Sequence, residues 1–158
     1  MMRKQIYSEI RDLILSIQDS EIKHFDLWNQ QTEVAGQGTP FQYPAVFLEF
    51  APAKWRSMGT GIQETDLTVR LHIVTEYDAG QTPDFFDIVD CVTAVMHDSV
   101  ALESGRRWTR SQSITDHSHK CCIDNIEEYV CNLQEIPAPP GKMVQVTIQP
   151  NAVSIITE

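Results

Sequence analysis

The chain has 158 residues, 42% hydrophobic and 22% charged, which fits one soluble globular domain and excludes wholesale disorder, collagen-like repeats and a coiled-coil rod. With 22 acidic and 12 basic residues the formal net charge is −10, so the surface repels phosphate backbones and sequence-specific nucleic-acid binding is not expected. No apolar run approaches the ~18 residues that mark a membrane-spanning helix, because Glu49 and Asp90 break the longest ones.

Ile6, Ile10, Leu13, Ile14 and Ile17 form one helical stripe, with Arg3, Lys4, Glu9, Arg11 and Asp12 on the other side. This predicts an amphipathic helix ending near Asp19 and Ser20. Glu9, Arg11 and Asp12 also rule the segment out as a signal peptide, so the protein is expected to stay in the cytoplasm where it is made. Residues 21–29 read as a short strand with Phe25 and Leu27 on one face. A loop rich in Gly, Gln and Thr comes next, at 33–40.

Residues 43–50, YPAVFLEF, predict a strand that is apolar on both faces and therefore central. Residues 63–75 predict a long strand with Leu67, Val69, Leu71 and Ile73 on one face and Thr68, Arg70 and His72 on the other. Between them, residues 51–62 read as the tip of a long hairpin with Gly59 and Gly61 as turn residues. Thr82 can cap a helix that Pro83 opens, and Phe85, Ile88, Val89, Val92, Val95 and Met96 give it a buried stripe. Strands are then expected at 110–119, at 126–133 with Tyr129, Cys131 and Leu133 on one face, and at 143–149, with Val153–Ile156 as a possible edge strand or arm. The prolines at 137, 139 and 140 separate a domain at 1–136 from a C-terminal extension at 137–158. The order is that of an α+β domain with a mainly antiparallel sheet.

Metal-binding groups are densest at His117, His119, Cys121 and Cys122, but adjacent cysteines and the missing separated knuckles do not match structural zinc spacing. The bland reading is a polar hairpin turn, so neither a metal nor a cofactor is expected. Cys91 sits beside an apolar stripe and reads as core, and no structural disulfide is expected. There is no nucleophile elbow, phosphate loop or zinc-protease motif, so an enzyme is the minority reading. Glu64 with Asp66 and Glu127 with Glu128 read as solvated strand charge. Arg106, Arg107, Arg110 and Lys120 read as a loosely basic loop. The hairpin tip carries more information. Trp55 and Met58 are large and apolar where tips usually carry small polar residues, and Lys54 and Arg56 flank Trp55. Exposed aromatic, Met and Arg groups are typical of protein contacts. The other reading has Trp55 folding back onto its own sheet, and Trp108 presents the same two readings.

Four pieces of the chain together resemble the tail terminator and tail completion proteins of long-tailed bacteriophages, especially small prophage proteins of that kind. They are the first helix with FDLWN at 25–29, the strand at 43–50, the strand TDLTVRLHIVTE at 65–76, and the helix at 84–96 with two strands after it. The resemblance spans most of residues 1–135. It implies two helices packed on a curved antiparallel sheet, and a hexameric ring that caps the tail tube and offers a surface to the head. The implied partners are the tail tube protein, a head–tail connector protein and DNA passing through the lumen without sequence-specific binding. The protein would act in the virion or prophage particle after assembly in the bacterial cytoplasm. Trp55, Arg56 and Met58 would be ring or tube contacts, and residues 34–41 a second contact region. A close variant of the same reading is a head–tail connector or other neck protein.

Overall fold

The computed structural model describes residues 2–17, 22–32, 41–77, 85–97, 107–118, 122–136, 148–149 and 152–153. Its elements are α1 (Met2–Leu15), β1 (His24–Leu27), β2 (Ala45–Phe50), β3 (Arg56–Gly59), β4 (Ile62–Glu76), α2 (Phe85–His97), β5 (Thr109–Asp116), β6 (Cys122–Glu135), β7 (Ile148–Gln149) and β8 (Ala152–Val153). The fold is α+β, with two helices and a six-stranded, mostly antiparallel open sheet.

The sheet runs β1-β2-β4-β6-β5, and β3 also pairs with β4. The long strand β4 lies antiparallel to β6 from Gln63 opposite Glu135 to Glu76 opposite Cys122. On its other edge, β2 takes the stretch Val69–Val74 and β3 takes the start, with Arg56 opposite Glu64. Between β2 and β3 the chain departs from β4 pairing. Two bonds hold this passage to β4: Ala51 N–H donates to the Thr68 carbonyl at 3.0 Å, and the Thr65 hydroxyl donates to the Lys54 carbonyl at 2.9 Å. The hairpin turn is built as the sequence predicts, with φ of 84° at Gly59 and 80° at Gly61. An L residue in either place would be strained even though the space is open. Thr60 between them also has positive φ, at 51°.

Residues 56–59, read from sequence as part of the hairpin tip at 51–62, pair with β4 as strand β3, and three further differences have physical causes. First, α1 ends at Leu15. Ser16 N–H is shared between the carbonyls of Asp12 and Leu13 at 3.1 and 3.3 Å, and the Ser16 hydroxyl bonds back to Leu13 at 2.7 Å, tightening the last turn. Second, β1 is parallel to β2, with His24 opposite Ala45. Parallel neighbours need a long crossover, which the segment between Leu27 and Ala45 supplies. Third, β6 is longer than expected at both ends and β5 stops at Asp116. Pairing with β4 carries Asp124 and Asn125 into the strand despite their low strand propensity. Beyond β5, Asp116 Oδ1 accepts from Ser118 N–H at 2.8 Å, a local bond that competes with the ladder. Thr82, Pro83 and the predicted strand residues 143–147 lie outside the described residues.

The main core lies between the helices and one sheet face. Ile6, Ile10 and Ile14 of α1 and Val89, Val92 and Met96 of α2 meet Val46, Leu48, Leu67, Val69, Leu71, Ile73, Tyr129, Cys131 and Leu133. Trp108 belongs to this same core. A smaller cluster on the opposite face joins Ala45, Phe47, Val74 and Cys122 with Trp28, Phe41 and Tyr43. Strand β2 is therefore buried on both faces over Ala45–Leu48, as its sequence requires. Leu71 is fully buried at the centre of the main core. Its replacement by alanine is expected to cost about 2–5 kcal/mol by urea denaturation, the range for a core Leu truncation.

Candidate interaction surface

The pleat sends Trp55 and Arg56 to opposite sides of the hairpin arm. Arg56 lies on the face away from the helices, where its guanidinium meets Glu64 at 3.4 Å and Asp66 at 3.5 Å. These are exposed pairs that add little stability, but they lay the arginine along its own sheet. Trp55 is 40% exposed and Met58 is 56% exposed. Met58 sits where the β3–β4 register shifts, between Ser57 and Gly59. A bulge of this kind re-aims side chains and increases local twist.

Trp55 forms one wall of a groove of about 440 Å³ on the helix side. The first turn of α1 forms the other wall with Met2, Arg3 and Lys4, and the floor contains Ile6, Leu67 and Leu133. Arg3 also lies over the Phe50 ring, with its guanidinium carbon 5.6 Å from the centroid. The last residue of β6, Glu135, stands at the rim, and Ile136 next to it is 66% exposed. The end of the sheet that carries the arm thus shows Trp55, Met58 and Ile136 to solvent around a groove with a cationic side.

The face away from the helices carries a row of paired charges. Glu49, Arg70 and Glu128 are lateral neighbours on β2, β4 and β6. Arg70 bonds Glu49 at 3.3 Å and Glu128 at 3.0 Å, and the Ser111 hydroxyl donates to Glu128 at 2.9 Å. One step along β4, His72 is buried. Its Nδ1 lies 2.8 Å from Asp124 Oδ2, its Nε2 lies 3.4 Å from Glu49 Oε2, and its ring stacks on Trp28 at 3.8 Å with 5° between the planes. Both acceptors are carboxylates, so a neutral imidazole can donate to only one of them. The second Asp124 oxygen has no partner among the described residues. Every charged member of the row is paired within the sheet, which makes it a cross-strand brace.

The other sequence candidates divide clearly. Trp108 is 2% exposed and packed in the main core, so it folds back onto its own sheet and offers no contact surface. The adjacent basic residues do not hold it outside, because Arg110 turns to Glu127 at 3.5 Å. Glu127, read from sequence as solvated, is buried on the helix-side face and accepts from Ser113 at 2.6 Å. His117 is exposed and Cys122 is buried, while His119 and Cys121 lie outside the described residues. Among the described residues, no group of three or more His, Cys, Asp or Glu side chains converges as a metal site. Likewise, no described helix is long and apolar enough to cross a membrane. Strand alternation had already set Arg70 and His72 opposite the apolar stripe. Their partners depend on strand register, which one strand's sequence does not reveal.

The Arg70 hydrogen bond, with that from Ser111 second, holds the Glu128 carboxyl below the usual glutamate range. A lowered carboxyl favours the folded state above the ordinary glutamate pKa, and this contribution is lost as pH falls through the lowered value. Arg70→Ala is expected to move Glu128 back toward the ordinary range and to flatten the acid limb of the stability curve. Carbon-detected NMR titration of the glutamate carboxyls and denaturation across a pH series would read the two effects.

Comparison with known protein families and with characterised proteins finds no match to this chain.

Proposed function

We propose that the chain is a structural phage or prophage assembly protein that forms a ring on the tail tube and joins it to the head. The observation that carries this reading is the hairpin arm. It places exposed Trp55 and Met58 at the far end of β4 from the aromatic cluster, with Trp55 beside Ile6, Leu67 and Leu133 at the edge of the main core. Exposed Trp55, just before β3, and Met58, within it, gather with Ile136 at one end of the sheet, which suits a contact between subunits. The α+β class, with two helices and a mostly antiparallel sheet, is what this reading expects. A head–tail connector or another neck protein is the nearest variant of it.

The proposed partners are further copies of the chain, the tail tube protein and a head–tail connector protein, with DNA passing through the ring. The acidic balance of the chain suits that passage, because it gives phosphates no general attraction. The site of action is the particle itself, reached from the bacterial cytoplasm during assembly.

Trp55→Ala combined with Met58→Ala tests the proposal. Met58 is mostly exposed and Trp55 is partly covered at the edge of the core, so the variant should stay folded with a loss of roughly 0.5–3 kcal/mol, the ordinary range for substitutions. Sedimentation velocity should show the variant shifted from rings to single subunits. Intact rings in the variant, or a wild-type protein that never forms rings alone or on tail tubes, would overturn the reading.

A further inference from the structure

The two ends of the sheet, β1 and β5, are finished differently. Just past β1, Trp28 N–H donates to the Leu48 carbonyl of β2, which turns the backbone groups of Leu27 outward. Side chains take both of them. Leu27 N–H donates to Asp26 Oδ1 at 2.7 Å, and the Leu27 carbonyl accepts from Gln31 Nε2 at 2.7 Å. On β5, among the described residues, no side chain takes a backbone group of residues 112–115 and no strand lies beyond the edge. Every side chain from Thr109 to Thr115 is exposed. An open edge of this kind is a template for another strand. The usual guards are missing from residues 112–116, which hold no Lys or Pro, and the bulge of β5 lies before them, between Arg110 and Gln112. We propose that residues 112–116 pair antiparallel with the same residues of a second copy of the chain, about a two-fold axis perpendicular to the sheet, so that two sheets become one. This goes beyond the ring reading and does not rest on it, because the arm lies on the other side of β4.

The occupant is read from the side chains. Gln112, Ile114 and Asp116 stand opposite Glu128, Ile126 and Asp124 of β6 and share their face, away from the helices. Across the sheet the lateral neighbours on that face run Phe47, His72, Ile126 and Ile114. This largely apolar row stops at Ile114, which is 43% exposed. In a pairing centred on residue 114, Ile114 meets Ile114 of the second copy, and the row continues into that copy's own sheet. Gln112 then stands opposite Asp116 of the second copy, an amide donor beside a carboxylate, and the symmetry makes this contact twice. Asp116 also faces Asp124 across its own ladder, so each like-charged pair gains a donor. On the helix side Ser113 stands opposite Thr115, and no like charges meet.

Other registers lose this fit. A shift of two residues sets Ile114 against Gln112 in one direction and against Asp116 in the other. A shift of one residue sends Ile114 to the opposite face from its neighbour. The stretch therefore fits itself in one register, which is what an isologous contact requires, since one patch serves both copies.

The test uses the full chain with Ile114→Cys, oxidised at rising concentration and mapped by mass spectrometry. The expected product is a disulfide-linked peptide joining position 114 to position 114. Leu27→Cys on the capped edge is the control and should give no 27–27 link. Ile114→Lys sets like charges against each other and removes the apolar contact, so sedimentation equilibrium should show dimerisation weakened by about tenfold or more, with the near-ultraviolet circular dichroism unchanged. The variant that combines Trp55→Ala with Met58→Ala, given Ile114→Cys, should keep the 114–114 link, which separates this contact from the ring reading. A wild-type chain that stays monomeric at every concentration would overturn the proposal, even if the strand of a different protein bound that edge. Dimers that yield no 114–114 peptide, or that Ile114→Lys leaves at full strength, would also overturn it.

Discussion

The pairing of β4 with β6 is the constraint on which the rest of the structure depends. The two strands are hydrogen-bonded along the whole of β6, and every other element of the six-stranded sheet is arranged about them. Since side chains alternate along a strand, this single register decides what faces the helices and what does not. It stacks Leu67, Val69 and Leu71 beside Cys131, Tyr129 and Glu127, and Arg70 beside Glu128. A slip of one residue would turn Arg70 and His72 into the apolar core and bring Val69 and Leu71 out to the charged row. Such a state loses hydrophobic burial and leaves charges unpaired, so it is strongly disfavoured.

The two faces stabilise this register in different ways. Apolar burial under the helices supplies most of the driving force, because the two helical stripes and three strands share one core. On the other face, the Glu49–Arg70–Glu128 row and the His72–Asp124 pair act as a selector. Buried and half-buried pairs of this kind add modest net stability, yet removing one partner leaves the other exposed to the full desolvation cost. The stacked Trp28 and the aromatic groups Phe41, Tyr43 and Phe47 close over one end of that row. The start of β4 pairs only with β3 and the end of β6. Thr65 and Leu67 there are buried, whereas the β3 residues paired with it are exposed.

Much of this architecture was legible in the residues. The isoleucine stripe of α1, the doubly apolar β2, the alternation in β4 and the glycines of the hairpin turn each carry a local signal that the fold obeys. The features that escaped the sequence depend on long-range pairing. The parallel placement of β1 is set by a crossover. The extension of β6 over Asp124 and Asn125 is driven by its partner strand. The burial of Glu127 comes from the helix-side face that β4 assigns to it. Trp108 shows the same limit at the candidate site: its arginine-rich surroundings suggest a surface, while its side chain fills the core. Trp55 and Met58, by contrast, were recognisable because large apolar residues contradict the ordinary chemistry of a hairpin tip, and the structure leaves both of them exposed.

In the proposed reading the sheet serves as scaffold and the arm end as contact surface, so the two roles are separate. Hydrogen exchange on the full-length protein, compared at dilute and assembled concentrations, tests that separation most directly. Amides of β4 and β6 at the centre of the sheet should be protected equally in both states, whereas residues 54–62, paired along one edge only, should be less protected when dilute and gain protection on assembly. Equal protection of residues 54–62 at all concentrations, matching the centre of β4, would mean that the arm belongs to the folded core and would contradict the account.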